Sequence, residues 1–328
     1  MDGNLVTKTS AEYGDRWENH KPLVVLLGPT AVGKTEIAIQ LAERLQGEIL
    51  SADSRLFYRG MNIGTAKPTS DEMARVPHHL VDIAEPDAGL SLAVFQELAH
   101  HAIAEIHQRG KLPILVGGTG QYVRAVIEGW QPPAISPDVR LRKALEEWAR
   151  QIGPQELHAR LAILDPTAAK RIDFRNLRRT IRALEVILTS GQRFSEQRTR
   201  RPSPYELLLL GLYRPRRILY ERIDARIRAM LEGGLVEEVR DLLEKGYTPD
   251  LPALSAIGYR EIVAYLQGRI SLDDAERLMQ RNTRIYVRRQ ANWFKASDPQ
   301  IHWHEVSENT VPELVRFIQD WLSSLKAV

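Results

Sequence analysis

The chain of 328 residues contains no cysteine. That excludes a disulfide framework, a thiol nucleophile and any zinc or iron–sulfur centre held by thiolates. No apolar run approaches the roughly 20 residues that a membrane helix needs. The longest candidates, Leu23–Leu27 and Leu207–Leu210, are only strand-length. Residues 1–20 carry no apolar stretch of the kind a secretory signal requires, so they read as a polar, mobile tail. A soluble, cytoplasmic protein is the expectation. Charge of one sign is also lacking: 45 Lys and Arg stand against 42 Asp and Glu, for a net charge of +3. What is abundant is apolar material, 43% of the residues, enough for at least one full core. The length suggests two domains.

Strand-like and helix-like segments alternate from residue 21 to about 128. Leu23–Leu27 is a short apolar run between Pro22 and Gly28-Pro29, as expected of a buried strand. Thr35–Gln46 has helical spacing, with Gly47 as the expected C-terminal cap. Glu48–Ala52 reads as a second strand, Leu92–Gln108 as an amphipathic helix, and Leu112–Val116 as a third strand. This alternation predicts a parallel, doubly wound α/β sheet. Trp130–Pro137 is Pro-rich and reads as a linker. Residues 138–189 read as helices only. Leu207–Tyr213 is apolar again and is expected to rejoin the sheet, and helices dominate from Ile218 onward. The organisation expected is an α/β core at 21–136 and 202–328, interrupted by a helical insertion at 137–201.

The segment Gly28-Pro29-Thr30-Ala31-Val32-Gly33-Lys34-Thr35 matches G-x4-G-K-[ST], after a strand and opening a helix, where a phosphate-binding loop must lie. Such a loop wraps backbone N–H groups around a polyphosphate, and the helix N-terminus adds partial positive charge. Lys34 supplies a point charge, and the Thr35 hydroxyl is a candidate ligand for Mg2+. Asp53 follows the second strand, at the carboxyl edge where open sheets bind ligands. That position alone suits a metal ligand, a helix cap or a base. Phosphoryl-transfer enzymes usually hold their metal with an acid at the end of a later strand. Here the third strand runs instead into Gly117-Gly118-Thr119, which weakens an ATPase reading and leaves open the transfer of a group attached to diphosphate.

The near-neutral total hides a basic module. Residues 137–201 hold fifteen basic and eight acidic side chains, Arg198 and Arg201 among the former. This asymmetry is the footprint of a nucleic-acid partner. Arg277, Arg281, Arg284 and Arg288 fall on one helical face, with no acid between Arg277 and Ser297. Tyr286 and Trp293 lie among them, placed to stack on bases.

Several segments together resemble one family, the bacterial tRNA dimethylallyltransferases. They are GPTAVGKT (28–35), SADSRLFYRGMNIGTAKPT (51–69), PHHLVDI (77–83), LPILVGGTGQYVRAV (112–126), IRALEV (181–186), AIGYREI (256–262) and TRIYVRRQANWF (283–294). The resemblance implies a P-loop NTPase-like core with a helical insertion and a helical C-terminal part. It implies transfer of a dimethylallyl group from dimethylallyl diphosphate to N6 of the adenosine on the 3′ side of the tRNA anticodon, with Mg2+ as cofactor. Residues 28–35 would hold the diphosphate. Asp53 matches the family's general base, Thr30 a residue near the reacting centre, and Arg226 an arginine that neutralises the leaving diphosphate. Thr119 and Arg140 match RNA-contacting positions. So do Asp53, Ser54, Arg55 and Leu56; Arg178, Arg179, Thr180, Ile181 and Arg182; and Ser255, Ala256, Ile257, Gly258, Tyr259 and Arg260. Ile172-Asp173-Phe174-Arg175-Asn176 departs from the family's Ile-His-Pro-Asn-Asp, so nothing is carried over to that loop. The partners implied are the anticodon stem-loop and dimethylallyl diphosphate. The solvated surface suggests a monomer and no membrane partner.

Three other functions fit part of the pattern. An adenylate isopentenyltransferase acting on free AMP needs no RNA clamp, so the basic clusters argue against it. A P-loop kinase of a small metabolite lacks its acid after the third strand. A non-catalytic RNA-binding protein would not need Lys34, Thr35 and Asp53 together.

Overall fold

The computed structural model describes residues 20–326 apart from 132, 134, 136, 137, 198 and 201. Residues 1–19 of the expected tail, part of the expected linker, and Arg198 and Arg201 lie outside the described residues. The chain divides into two compact units, residues 1–127 with 204–328 and residues 128–203.

The first unit opens with β1 (Pro22–Leu27), α1 (Lys34–Leu45), β2 (Gly47–Ser51), α2 (Ser70–Arg75), β3 (His78–His79), α3 (Leu92–Gln108), β4 (Leu112–Gly117) and α4 (Gly120–Ile127). The second unit holds β5 (Trp130–Gln131), α5 (Val139–Ile152), α6 (Pro154–Leu164), α7 (Pro166–Arg171), α8 (Leu177–Ser190) and β6 (Thr199–Arg200). The first unit then resumes with β7 (Glu206–Tyr213), α9 (Arg216–Glu232), α10 (Leu235–Glu244), α11 (Tyr259–Leu266), α12 (Leu272–Gln290), β8 (Ile301–Glu305) and α13 (Thr310–Leu325).

The main sheet has the order β3-β2-β4-β1-β7-β8, and every pairing is parallel. Parallel neighbours require crossovers, so helices cover both faces and the central strands are apolar throughout. β1 makes this visible. Val24 and Leu26 join the core on one face, Leu23, Val25 and Leu27 the core on the other, and all five are fully buried. Helix α1 and the C-terminal helices cover the first face, and α3 and α4 the second. An all-parallel sheet with a phosphate loop joining β1 to the helix after it is a P-loop NTPase-like fold, as the sequence reading expected. Since β4 lies between β1 and β2, the chain moves to opposite sides of β1 in its two halves. Ligands of open α/β sheets bind outside the carboxyl ends of strands at such a switch.

Three details differ from the sequence reading. Gln46, at φ 54°, takes the left-handed cap of α1, and Gly47 already belongs to β2. Trp130–Gln131 is not linker but pairs antiparallel with Thr199–Arg200. The C-terminal part also contains a strand, β8, which extends the sheet by pairing with β7. Its sequence, IHWHE, is short and polar at an edge, so it carries little hydrophobic signal.

The second unit has a core of its own, including Leu145, Leu157, Leu161, Ile181, Leu184 and Phe194. One polar group organises it. Glu185 is fully buried and accepts from Arg142 Nη2 at 2.8 Å, Arg182 Nη1 at 2.8 Å and the Asp138 amide at 2.8 Å. Burial pushes its carboxyl up, but the two guanidinium groups and the amide outweigh this and hold it below the ordinary glutamate range. A depressed acid contributes stability above its unfolded value and loses it as pH falls toward the folded one. Replacing Glu185 by Ala is expected to cost about 2 kcal/mol at neutral pH, since charge-assisted bonds are lost and two arginines are left facing each other. Wild type and variant should converge as pH drops below the ordinary glutamate value. Thermal melts across pH check this; an equal difference at acid and neutral pH contradicts it.

Candidate functional site

The phosphate loop joins β1 to α1. Ala31 and Gly33 both have positive φ, 63° and 111°, which curls the backbone into an anion-binding nest. Its carbonyls are turned outward and held by cations. Lys34 Nζ donates to Gly28 O at 2.9 Å and Pro29 O at 2.8 Å. Arg222 Nε donates to Ala31 O at 2.8 Å, and Arg214 Nε to Val32 O at 3.0 Å. The first amides of α1 have no intrahelical acceptor, so the loop offers N–H groups to an anion. Thr35 is exposed at this helix start.

The charges here are desolvated. Burial pulls the Lys34 ammonium down to about 8, against the opposing pull of Asp53. Burial likewise lowers Arg226, again opposed by Asp53. Asp53 therefore shares one electrostatic environment with the phosphate-loop lysine and the α9 arginine, three of the residues singled out from the sequence. Its backbone fixes it: the Asp53 amide donates to Ser51 Oγ at 3.2 Å, and its Oδ1 accepts from the Arg55 amide at 3.0 Å. Burial raises the Tyr286 phenol and the Asp53 charge adds to the effect, so Tyr286 belongs to the same environment.

The loop after β4 lies against the phosphate loop. Thr119 Oγ1 lies 3.4 Å from Tyr286 Oη. Gln290, at the end of α12, joins this loop to the phosphate loop. Its Oε1 accepts from the Thr30 amide at 3.0 Å, and its Nε2 donates to Gly118 O at 2.9 Å. A side chain at Gly118 would place Cβ 2.3 Å from Gln290 Nε2 and 2.9 Å from Gly28 O. At Gly120 it would lie 2.2 Å from the Trp293 indole. The Gly-Gly-Thr-Gly run is thus a requirement for close approach. Trp293 packs against this run and is still 36% exposed.

The residues expected to contact RNA divide into two groups. Arg140, Arg178, Arg179, Ser255, Arg260, Arg281 and Arg288 are exposed, and Ser54, Arg55, Leu56, Thr119 and Ile257 are half-buried. Thr180, Ile181, Ala256, Gly258 and Tyr259 are buried. Tyr259 serves the fold, its hydroxyl donating to Glu238 Oε1 at 2.6 Å. The same carboxylate accepts from the amides of Asn62 at 2.8 Å, Ile63 at 2.7 Å and Gly64 at 3.2 Å, which pins the MNIG loop. Arg182 is bound to Glu185 and to Ile135 O. Arg55 Nη1 donates to Pro252 O at 2.9 Å.

The arginine stripe is only partly available. Arg284 pairs with Asp224 at 2.5 Å and stands over the Tyr220 ring, while Arg277 pairs with Asp274 at 2.8 Å. Arg284 therefore ties α12 to α9. Sequence reasoning passed over Gln290, Glu238 and Arg214. For Gln290 a signal existed: one carboxamide ending an otherwise cationic run. The other two act on backbone groups far away in sequence, which no local pattern reveals.

No group of three or more His, Asp or Glu that could hold a metal ion occurs among the described residues. Nor is any described helix long and apolar enough to cross a membrane.

Comparison with known proteins gives a consistent result. The family model described as IPP transferase matches residues 56–297. The chain is 53% identical to the tRNA dimethylallyltransferase of Roseiflexus sp. (strain RS-1), over 84% of this chain and 90% of that one. It is 51% identical to that of Thermomicrobium roseum, over 88% and 87% respectively. The crystal structure of the full-length tRNA isopentenylpyrophosphate transferase from Bacillus halodurans is similar, with TM-score 0.70 and 42% identity, covering 94% of this chain and all of that one. A eukaryotic dimethylallyltransferase acting on tRNA is also similar, with TM-score 0.79 and 27% identity, over 93% and 80%.

The packing predicts that Gly118→Ala lowers the melting temperature and displaces Gln290, because the new methyl meets both that side chain and the Gly28 carbonyl. An unchanged melt would contradict the close approach. Lys34→Ala should weaken binding of inorganic pyrophosphate, measured by calorimetry, by about tenfold or more, the scale of a lost charge-assisted contact. Unaltered affinity would mean that the anion binds elsewhere.

Proposed function

We infer the reaction from the premise that this chain belongs to the IPP transferase family: it transfers a dimethylallyl group from dimethylallyl diphosphate to tRNA. The finer reading is that the acceptor is N6 of the adenosine on the 3′ side of the anticodon, position 37. The observation that carries it is the shared electrostatic environment of Asp53, Lys34 and Arg226 beside the phosphate loop. It supports the reading that a base and a diphosphate cradle act side by side.

The chemistry follows from these groups. The amine N6 forms a bond to C1 of the dimethylallyl group as the C1–O bond breaks, and the bonding pair leaves with the diphosphate. An adenine amine is a weak nucleophile, because its lone pair is delocalised into the ring. Asp53 accepts its proton during attack. The loop amides, Lys34 and Arg226 stabilise charge growing on the departing oxygen, where low dielectric makes them effective. Thr30 lies in the phosphate loop and Thr119 in the loop after β4.

The cofactor is Mg2+. The Thr35 hydroxyl, exposed at the start of α1, would hold the ion. When bound it neutralises diphosphate charge. The protein's own part is to present the Thr35 hydroxyl and the loop amides.

A base inside an RNA stem-loop must be unstacked to enter such a crevice. The exposed cations Arg140, Arg178 and Arg179 of the helical insertion, with Arg281 and Arg288, engage phosphates of the anticodon stem-loop. A tRNA substrate places the work in the cytoplasm, and the protein acts as a monomer. The free-AMP reading leaves these exposed cations without a partner. The kinase reading lacks a metal-binding acid after β4, where Gly118 instead packs on Gln290.

Incubation of tRNA with the protein, dimethylallyl diphosphate and Mg2+ should yield N6-isopentenyladenosine by nucleoside mass spectrometry. Activity on AMP but not on an anticodon stem-loop would overturn the RNA reading. Asp53→Asn should slow the single-turnover rate by about 100-fold or more while leaving RNA affinity within a few-fold, as loss of a general base does. An unchanged rate would remove Asp53 from that role. Arg281→Glu should weaken RNA binding and flatten its dependence on salt by about one phosphate contact. An unaltered salt slope would show that this side chain stays in solvent.

A further inference from the structure

We propose that Gln290 is a positioning residue for the transfer, a side-chain substitute for a peptide unit that continues the β1–β4 pairing into the crevice. This rests on the reaction inferred above and adds a residue to it.

The β1–β4 register ends at the pair Leu27 and Gly117. Beyond it the two chains part. Gly28-Pro29-Thr30 turns into the phosphate loop, and Gly118-Thr119 turns into α4. Between them the Gln290 carboxamide accepts from the Thr30 amide at 3.0 Å and donates to the Gly118 carbonyl at 2.9 Å. A carboxamide has an acceptor end and a donor end, as a peptide unit has, so it can serve both chains where they no longer reach each other. Gln290 is 7% exposed, and an unpaired partner there would be costly.

The consequences reach the reacting groups. The Thr30 N–H is spent on Gln290, and the bridge ties together the two threonine-bearing loops. Tyr286 lies one turn earlier on α12, with its hydroxyl 3.4 Å from Thr119 Oγ1. One helix face thus holds both loops. Gln290 touches no reacting atom; it sets the distance between groups that do. Misplacement of about 1 Å at a reacting centre costs about 100-fold in rate.

Other side chains meet the requirement only in part. Asn is one methylene too short to span the loops. Met fills the volume but bonds to neither. Ionised Glu accepts from Thr30 but has nothing to donate to Gly118, whereas protonated Glu restores both bonds.

The test uses the full chain, with Gln290→Glu and Gln290→Met beside wild type. Steady-state and single-turnover prenylation of an anticodon stem-loop RNA are followed across pH, with melting temperatures recorded. Gln290→Met should lower kcat by about 100-fold, with KM for dimethylallyl diphosphate changed only a few-fold. Gln290→Glu should be equally slow at alkaline pH, and its rate relative to wild type should recover as acid protonates the new carboxyl. A relative rate of Gln290→Glu independent of pH, wild-type kcat in Gln290→Met, or wild-type kcat in Gln290→Glu at alkaline pH would overturn the proposal. If the Met variant fails to fold, the Glu profile decides alone. Amide exchange at Thr30, read by NMR, should speed up in Gln290→Met, which has lost the acceptor. Unchanged Thr30 protection in folded Gln290→Met would overturn the bridge itself. Wild-type protein inactive on the RNA would overturn the inferred reaction instead, and the exchange measurement would still judge the bridge.

Discussion

Everything in the first unit depends on how the phosphate loop disposes of its own carbonyls. A bare loop of peptide units presents both signs of dipole, and an anion would meet as much repulsion as attraction. Here the carbonyls of Gly28, Pro29, Ala31 and Val32 are engaged by Lys34, Arg222 and Arg214. The cations come from the loop itself, from the end of β7 and from α9. Folding the C-terminal half onto the sheet therefore prepares the electrostatics of a loop made in the N-terminal half.

That preparation has a cost. Lys34 and Arg226 are desolvated, and Asp53 is the acid that partly compensates them. Asp53, Lys34 and Arg226 thus form one charged group beside the loop. A kinase with a metal-binding acid at the end of β4 would be organised differently. In this chain the end of β4 is packed so closely, with Gly118 on Gln290 and Gly120 on Trp293, that no larger side chain fits.

Much of this was legible in the sequence because it rests on local chemistry. The loop 28–35 identifies itself through residue types that its backbone conformation demands. The apolar runs of β1, β4 and β7 identify buried parallel strands, and α3 follows from its period over Leu92–Gln108. The position of Asp53 at the carboxyl edge of the sheet follows from its place just after β2. What stayed hidden depends on partners distant in sequence. Strand β8 is a polar edge that only pairing with β7 makes a strand. The side chains of Thr180, Ile181 and Tyr259 lie in motifs that read as RNA contacts, yet they are buried. Tyr259 serves Glu238, and Glu238 serves the backbone of residues 62–64. Arg284 shows the same limit: a helical stripe of like charge reads as a free surface until Asp224 is found opposite it.

The central claim is that one crevice, at the carboxyl ends of β1 and β4, holds diphosphate in the amide nest and an adenine amine against Asp53. A crystal structure with an unreactive thio analogue of dimethylallyl diphosphate and an anticodon stem-loop tests it most directly. The account predicts the diphosphate on the amides of residues 33–35. It also predicts the amine about 3 to 3.5 Å from C1 and about 2.6 to 3.2 Å from an Asp53 oxygen. A diphosphate bound away from that loop, or a target base turned from Asp53, would contradict it.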